Sequence, residues 1–210
     1  MSANCCSDKK FDGVSERYKR ILLVVIALNA LMFLVEIAGG IFSQSQALQA
    51  DALDFLADSL TYAMSLWVIG RSLTLRSNVA IAKGVSLAVM GGWVLFSTIH
   101  RAFTEHTPEP FTMGWIAVSA LGVNLFSVLL LVAYKDGDAN VRSVWLCSRN
   151  DAIGNVAVMV AAVTVAYTQS GWPDLIVAFL MSGLFFNSSI QIIRQSIKER
   201  REHLVINYGL

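Results

Sequence analysis

Six long runs of hydrophobic residues follow one another along the chain, separated by short polar stretches. The runs cover residues 21–43, 47–70, 79–100, 112–134, 143–168 and 173–193. About 20 helical residues cross a bilayer core of about 30 Å, so each run is long enough to span a membrane. The pattern predicts an all-α polytopic membrane protein, with a tail at 1–20, a six-helix transmembrane bundle at 21–193 and a short tail at 194–210.

The composition supports this class and gives the bundle an orientation. The chain is 55% hydrophobic and only 15% charged, and its net charge of +1 gives no reason to expect a nucleic-acid partner. Outside the runs, thirteen Lys and Arg residues fall on the side of the two tails, and the opposite side has only Arg101. The positive-inside rule therefore places both termini in the cytoplasm, and we expect a multi-pass protein in the lipid of the cell membrane.

The second hydrophobic run contains three carboxylates, in the stretch Asp51-Ala-Leu-Asp-Phe-Leu-Ala-Asp58. Asp54 and Asp58 are four residues apart, so they project from the same face of a helix. Ionised carboxylates in hydrocarbon are costly unless they are paired or bind a metal ion, and this apolar chain supplies few partners. The pair is therefore a candidate ion site.

The fifth run carries a second pair with the same spacing, Cys147 and Asp151, and Asn155 continues that face by one turn. The second and fifth runs cross the membrane in opposite directions, so the two pairs can face each other. A divalent cation would turn the repulsion among three carboxylates and a thiolate into attraction. Oxygen and sulfur ligands suit zinc and the softer cadmium, and suit magnesium and calcium poorly. The sequence predicts a metal site made of Asp54, Asp58, Cys147 and Asp151.

Further polar residues are secondary or relay candidates, and the residues alone leave their roles open. Asp51 is either an outer relay for a departing ion or a structural residue, and Asn155 extends the face of Asp151. Glu36, deep in the first run, either carries a proton or bonds a neighbouring helix. Lys83, near the start of the third run, is expected to extend toward the membrane surface.

Two other classes of function stay open from the residues alone. The same acids would serve a proton or sodium carrier, although a thiol suits the hard sodium ion poorly. A membrane sensor or scaffold, whose metal site only stabilises the bundle, is the third reading. An enzyme is not expected, because the chain has no His pair, nucleophile elbow or glycine-rich phosphate loop, and no prosthetic group is expected either. Cys5 and Cys6 either capture metal at the cytoplasmic entrance or are incidental.

The stretch Leu34–Leu60 resembles the first and second spans of the cation diffusion facilitator family. It contains Glu-Ile-Ala-Gly-Gly-Ile-Phe-Ser-Gln-Ser-Gln-Ala-Leu-Gln-Ala-Asp-Ala-Leu-Asp-Phe-Leu-Ala-Asp. The resemblance continues with Asn124 in the fourth run, Asp151 and Gly154 in the fifth, and Trp-Pro-Asp174 at the start of the sixth. It covers nearly all of the predicted membrane part and keeps the order and spacing of the six runs.

The resemblance also implies a set of ligands. Family members pair His or Asp with Asp on the second span and again on the fifth, which assigns Asp54, Asp58 and Asp151 as ligands here. The remaining family position falls on Cys147. A thiol at this position departs from the family pattern and directs substrate choice toward softer metals.

Members of this family are typically proton-coupled exporters of zinc or related divalent ions. We therefore expect export by alternating access with proton antiport, with Zn²⁺ or Cd²⁺ favoured and Co²⁺ or Fe²⁺ as further substrates. The family usually carries a ferredoxin-like cytoplasmic domain after the sixth span, and this chain stops about where that domain would begin. The resemblance thus implies transport without that module and a homodimer formed through the spans.

Overall fold

The computed structural model describes residues 15–67, 73–104, 107–136 and 139–208. Within these residues the chain forms helices and no strand, which confirms the all-α prediction. The helices are α1 (Glu16–Phe42), α2 (Gln46–Trp67), α3 (Leu73–Ala102), α4 (Pro110–Leu131), α5 (Ala139–Thr168) and α6 (Trp172–Tyr208), and a 3₁₀ turn (Val132–Tyr134) follows α4. Cys5 and Cys6 lie outside the described residues.

In the described part of the chain, five helices are long and apolar enough to cross a membrane, namely α1, α3, α4, α5 and α6. α2 differs because it carries three aspartates, Asp51, Asp54 and Asp58. Its 22 residues rise about 33 Å, which still matches the thickness of a bilayer core. The protein is therefore a multi-pass membrane protein. α6 continues to Tyr208, so residues 194–208, expected as a tail, prolong the last helix.

The connections α1–α2, α3–α4 and α5–α6 meet at one end of the bundle, which we call the hairpin end. Gln44 and Gln169 adopt positive φ angles of 58° and 51°, a conformation that turns the chain just beyond α1 and α5. The Glu109 N–H donates to the Ser43 carbonyl at 2.9 Å, and the Thr107 hydroxyl donates to the Gln169 carbonyl at 3.3 Å. These bonds link the three connections to one another.

Asp174, fully buried near the start of α6, binds the first turn of α2. Its Oδ1 accepts hydrogen bonds from the Ser45 hydroxyl at 2.5 Å and the Ala47 N–H at 3.1 Å, and its Oδ2 accepts one from the Gln46 N–H at 2.7 Å. A carboxylate here satisfies free N–H groups and complements the positive end of the helix dipole. α6 therefore fixes the hairpin end of the helix that carries the three aspartates.

Glu109 caps the start of α4 outside the membrane-spanning helices. Its side chain accepts hydrogen bonds from the backbone N–H of Phe111 at 3.0 Å and of Thr112 at 2.6 Å, and Pro110 occupies the first helical position. Hydrogen bonding to the carboxylate, first from the Thr112 side chain and then from these N–H groups, lowers the pKa of Glu109 below its ordinary value. The start of α4 is thus defined by its own sequence.

The six helices form two packing units. α1, α2, α4 and α5 make a four-helix unit, and α3 packs along α6 as a pair. The α3–α6 contact depends on small residues, since a Cβ added to Gly84 would lie 2.5 Å from Ile193 Cγ1, and one on Gly91 would lie 3.0 Å from Phe185 Cβ. The Ser189 hydroxyl also donates to the Gly84 carbonyl at 2.6 Å. Small residues allow helices to approach closely in lipid, and here they bring the two backbones together.

Buried apolar side chains close the four-helix unit on both sides of its polar middle. Away from the hairpin end, one cluster comprises Tyr18, Leu22, Val25, Tyr62, Leu131 and Val144. Nearer the hairpin end, a second cluster includes Ala47, Leu48, Met113, Ala117 and Val158 and continues into α3 and α6. The acidic face of α2 lies between these clusters.

Candidate metal centre

One face of α2 presents its three aspartates to the interior of the four-helix unit. Asp51 and Asp58 are buried and Asp54 is half-buried. The one salt bridge found among the described residues joins Lys19 to Glu16, far from these acids. The charge of the three aspartates is therefore not balanced by an ion pair within the described part of the chain.

α5 brings Asp151 against this face. The Asp151 carboxyl group lies within hydrogen-bonding range of the carboxyl groups of Asp54 and Asp58. Cys147, one helical turn from Asp151, is a half-buried free thiol close enough to interact electrostatically with Asp54 and Asp58. The four side chains that the sequence singles out thus lie in one region between α2 and α5.

These four side chains do not form a finished metal cage. Across the described ranges, no group of three or more His, Cys, Asp and Glu side chains is arranged so that it could hold a metal ion as it stands. Carboxyl groups in contact repel one another when ionised, so the contacts of Asp151 require shared protons or a cation. Occupation by a metal ion would therefore displace protons and draw the ligands closer together.

Tyr62 belongs to this region and was not singled out from the sequence. Its buried hydroxyl donates to Asp58 Oδ2, and it lies 3.4 Å from both the Val144 carbonyl and the Ser148 hydroxyl of α5. Tyr62 therefore holds Asp58 in place and links α2 to α5. Its position four residues after Asp58, on the same helix face, is the signal that could have identified it.

Lys83 approaches the same region from α3, which corrects the expectation that it extends toward the membrane surface. Its half-buried ammonium group donates to the Thr61 carbonyl of α2 at 3.4 Å. From there it interacts electrostatically with Asp58 and Cys147. The physical reason is that the Thr61 carbonyl, Asp58 and Cys147 offer the ammonium group polar partners inside the bundle.

The secondary candidates Glu36, Asp51 and Asn155 lie on the hairpin-end side of Asp54 and Asp151. All three are buried, and the Glu36 carboxyl is close enough to the Asp51 carboxyl to interact with it electrostatically. Asn124 of α4 is also fully buried, with no hydrogen-bond partner among the described residues for either amide atom. The polar interior therefore extends beyond the four predicted ligands.

Acidic side chains that converge between membrane-spanning helices are typical of multi-pass proteins that bind or transport cations. Comparison with known proteins identifies the family. Residues 22–199 match the model of the cation efflux transmembrane domain. The chain therefore belongs to the cation efflux family, whose transporters are the cation diffusion facilitators that its sequence resembles.

Curated relatives resemble the chain over most of its length. It is 30% identical over 198 residues to the zinc transporter ZitB of Escherichia coli (strain K12), covering 87% of this chain and 63% of the relative. It is 23% identical over 195 residues to the cadmium, cobalt and zinc/H⁺-K⁺ antiporter of Bacillus subtilis (strain 168), covering 85% and 62%. It is 23% identical over 205 residues to the metal cation efflux system protein CzcD of Cupriavidus metallidurans, covering 86% and 63%. The chain thus spans less than two thirds of the length of these relatives.

Proposed function

We propose that this protein exports divalent transition-metal ions from the cytoplasm and is not an enzyme. The observation that carries the proposal is the contact of Asp151 on α5 with Asp54 and Asp58 on α2. Carboxyl groups gathered inside a membrane protein are costly when ionised, and a multivalent cation relieves that cost most fully. We assign the three aspartates and Cys147 as the ligands of the transported ion.

The donor set and the relatives support the same choice of substrates. Three oxygen donors and a thiolate favour Zn²⁺ and Cd²⁺, with Co²⁺ and Fe²⁺ as further substrates. The relatives are named for zinc, cadmium and cobalt. The metal ion is cargo, and we propose no resident prosthetic group.

Proton antiport by alternating access follows from the charge of the site. The empty carboxyl cluster holds protons, and a metal ion that enters from the cytoplasm displaces them. After the unit reopens on the other side, protons replace the departing ion and reset the site. The Bacillus subtilis relative is named as a cadmium, cobalt and zinc/H⁺-K⁺ antiporter, which supports coupling of metal export to protons.

We propose that all six helices span the cell membrane, with both termini in the cytoplasm and the hairpin end outside. The distribution of Lys and Arg supports this orientation. The length of α2 suits a sixth span. A bound metal ion or protons would neutralise its three acids and so lower the cost of placing them in the membrane. We further propose that two copies associate through their transmembrane helices.

Transport in proteoliposomes tests this function. The full chain, reconstituted with a metal-sensitive dye inside the vesicles and a pH gradient across the membrane, is expected to accumulate Zn²⁺ and Cd²⁺ with proton counterflow. Asp151→Asn should reduce uptake to the level of protein-free vesicles. Glu109→Gln, the same acid-to-amide change at an exposed position, should leave the rate of uptake unchanged.

The contrary outcomes separate the alternatives. Metal uptake that is equal in the Asp151→Asn protein would remove the proposed site, and uptake without proton movement would remove the coupling. Proton or sodium flux without metal flux would support a carrier of those ions. Metal binding without any flux would support a sensor or scaffold.

A further inference from the structure

A second group of buried oxygen atoms lies on the hairpin-end side of the four-ligand site. Glu36 on α1 is 0% exposed, Asp51 on α2 is 1% exposed and Asn155 on α5 is 0% exposed. In the described part of the chain, no hydrogen-bond donor reaches either carboxyl oxygen of Glu36 or Oδ2 of Asp51, and neither amide atom of Asn155 has a partner. Buried polar atoms are nearly always paired, so these atoms require an explanation.

The packing of α1 on α2 sets the two carboxyl groups against each other. The two helices are antiparallel, and Met32 of α1 packs with Phe55 of α2 in one buried cluster. One turn nearer the hairpin end, this register pairs Glu36 with Asp51, and the two carboxyl groups are close enough to interact electrostatically. Two carboxyl groups in contact without a basic partner need a proton or a cation between them.

Asn155 enters this layer from α5, independently of the two acids. It lies four residues beyond Asp151 on the same helix face, about 6 Å nearer the hairpin end. Asp51 lies three residues before Asp54 on the antiparallel α2, about 4.5 Å in the same direction. Because Asp151 contacts Asp54, the unpartnered amide of Asn155 lies level with Asp51 and shares the face that points at α2.

We propose that Glu36, Asp51 and Asn155 form a second cation site, made of oxygen ligands alone. Two carboxylates and an amide carbonyl supply hard donors from three helices, and water completes the coordination shell. The absence of sulfur separates this site chemically from the one that contains Cys147. A divalent ion at this position satisfies the unpartnered oxygens and removes the repulsion between the two acids.

The second site serves the transported ion during release, a role that rests on the proposed export function. An ion that leaves Asp54 and Asp151 reaches Asp51 after about 4.5 Å along α2. Two divalent ions at so short a separation repel strongly inside a protein, so the sites are filled in succession. The ion moves from a set of ligands that includes sulfur to one of oxygen alone, which binds a soft metal less tightly and favours its departure.

Co²⁺ spectroscopy of the purified full chain tests the second site. Thiolate ligation of Co²⁺ gives intense charge-transfer absorption, and oxygen ligation gives only weak bands. The unchanged protein should show the thiolate band. The Cys147→Ser, Asp151→Asn double variant should lose it and bind Co²⁺ with the weak spectrum of oxygen ligands.

Two further changes on that background locate the remaining Co²⁺. Adding Glu36→Gln or Asp51→Asn to the double variant should lower its affinity for Co²⁺ by about tenfold or more. Adding Glu109→Gln, the matched exposed control, should leave the affinity for Co²⁺ unchanged. The proposal is overturned if the double variant binds no Co²⁺, or if neither Glu36→Gln nor Asp51→Asn weakens what remains. A proton or water held between the two acids would give that result.

A measurement on single variants keeps the test independent of how well the double variant folds. Glu36→Gln alone should slow Zn²⁺ transport about tenfold while the Co²⁺ thiolate band of the first site is retained. Unchanged transport in both Glu36→Gln and Asp51→Asn would contradict the role in release. An unchanged protein without a thiolate band would instead contradict the four-ligand site, and Glu36-dependent oxygen ligation would still uphold the second one.

Discussion

The α2–α5 contact and the α3–α6 contact are opposite solutions to packing helices in a membrane. α3 and α6 approach through Gly84 and Gly91 with a direct hydrogen bond from Ser189. α2 and α5 meet instead through Asp54 and Asp151, acids that repel each other unless protons or a cation neutralise them. The α3–α6 contact is complete without a ligand and the α2–α5 contact is not. A bound ion is therefore expected at the α2–α5 contact.

The largest expected effect comes from neutralising an acid at the incomplete contact. Asp54→Asn should abolish metal uptake into proteoliposomes, because the ion loses a charged ligand. The melting temperature of the metal-free protein should stay equal or rise, since a repelling carboxyl group is removed. A fall in both uptake and melting temperature would show that Asp54 is needed for folding, and would make its contact resemble the α3–α6 contact.

Changing the thiol sharpens the comparison, because it alters one proposed ligand and leaves the three aspartates in place. Cys147→Ser should lower the ratio of Cd²⁺ to Zn²⁺ affinity by about tenfold, because a hydroxyl is a harder donor than a thiolate. Competitive titration of the two metals against the same indicator measures this ratio. An equal ratio in both proteins would exclude Cys147 as a residue that selects the metal.

Breaking the tight contact should have a structural effect of moderate size. Gly84→Leu places a side chain where Ile193 already lies, and overpacking of this kind costs about 1–3 kcal/mol of stability. Thermal unfolding in detergent should show the loss. Gly92→Leu is the matched control, because a Cβ at Gly92 meets no atom within 4 Å. Equal losses in the two variants would argue against close α3–α6 packing.

Lys83 connects the two contacts, and removing its charge should have a smaller effect. Lys83→Met takes a positive charge away from Asp58 and Cys147, so a divalent cation should bind the site a few-fold more tightly. Lys83→Arg keeps the charge and should bind metal as the unchanged protein does. Calorimetric titration with Zn²⁺ distinguishes them, and weaker binding by Lys83→Met would contradict this electrostatic role.

The smallest effect is expected at the exposed cap of α4. The pKa of Glu109 is lower in the folded protein, so its contribution to stability is present above the pKa of the unfolded carboxyl group. That contribution is lost as the pH falls through the lower folded value. Glu109→Gln should therefore flatten the melting temperature between about pH 5 and pH 3. An identical pH profile in both proteins would show that the cap adds nothing.

Periodic features of the sequence predicted most of the fold. Runs of about 20 apolar residues indicate helices that match a bilayer, and four-residue spacing places Asp54 and Asp58 on one face. Antiparallel crossing then explains why Asp151 meets them. The same reasoning did not predict that α6 continues to Tyr208. A polar segment such as 194–208 does not show in its sequence whether it continues the preceding helix.

Side-chain direction was harder to predict than position. Lys83 has a stem long enough to reach either the interface or the interior, and only the location of Asp58 decides between them. Tyr62 resembles any aromatic residue of an apolar helix until its hydroxyl is seen to contact Asp58. Whether Glu36 and Asp51 are partners depends on the register of α1 against α2, which a single sequence does not contain.

The hydrogen bonds between Asp174 and the first turn of α2 also restrict how the two packing units can move against each other. α2 belongs to the four-helix unit, yet its hairpin end is held by a residue of the other packing unit. We therefore expect a tilt of one unit against the other to pivot near Asp174. With a lever about 33 Å long, a rotation of about 10° displaces the far end of α2 by about 6 Å while its anchored end stays almost still. The two ends of the acid-bearing helix would thus open by unequal amounts, and the end far from Asp174 would move more than the hairpin end.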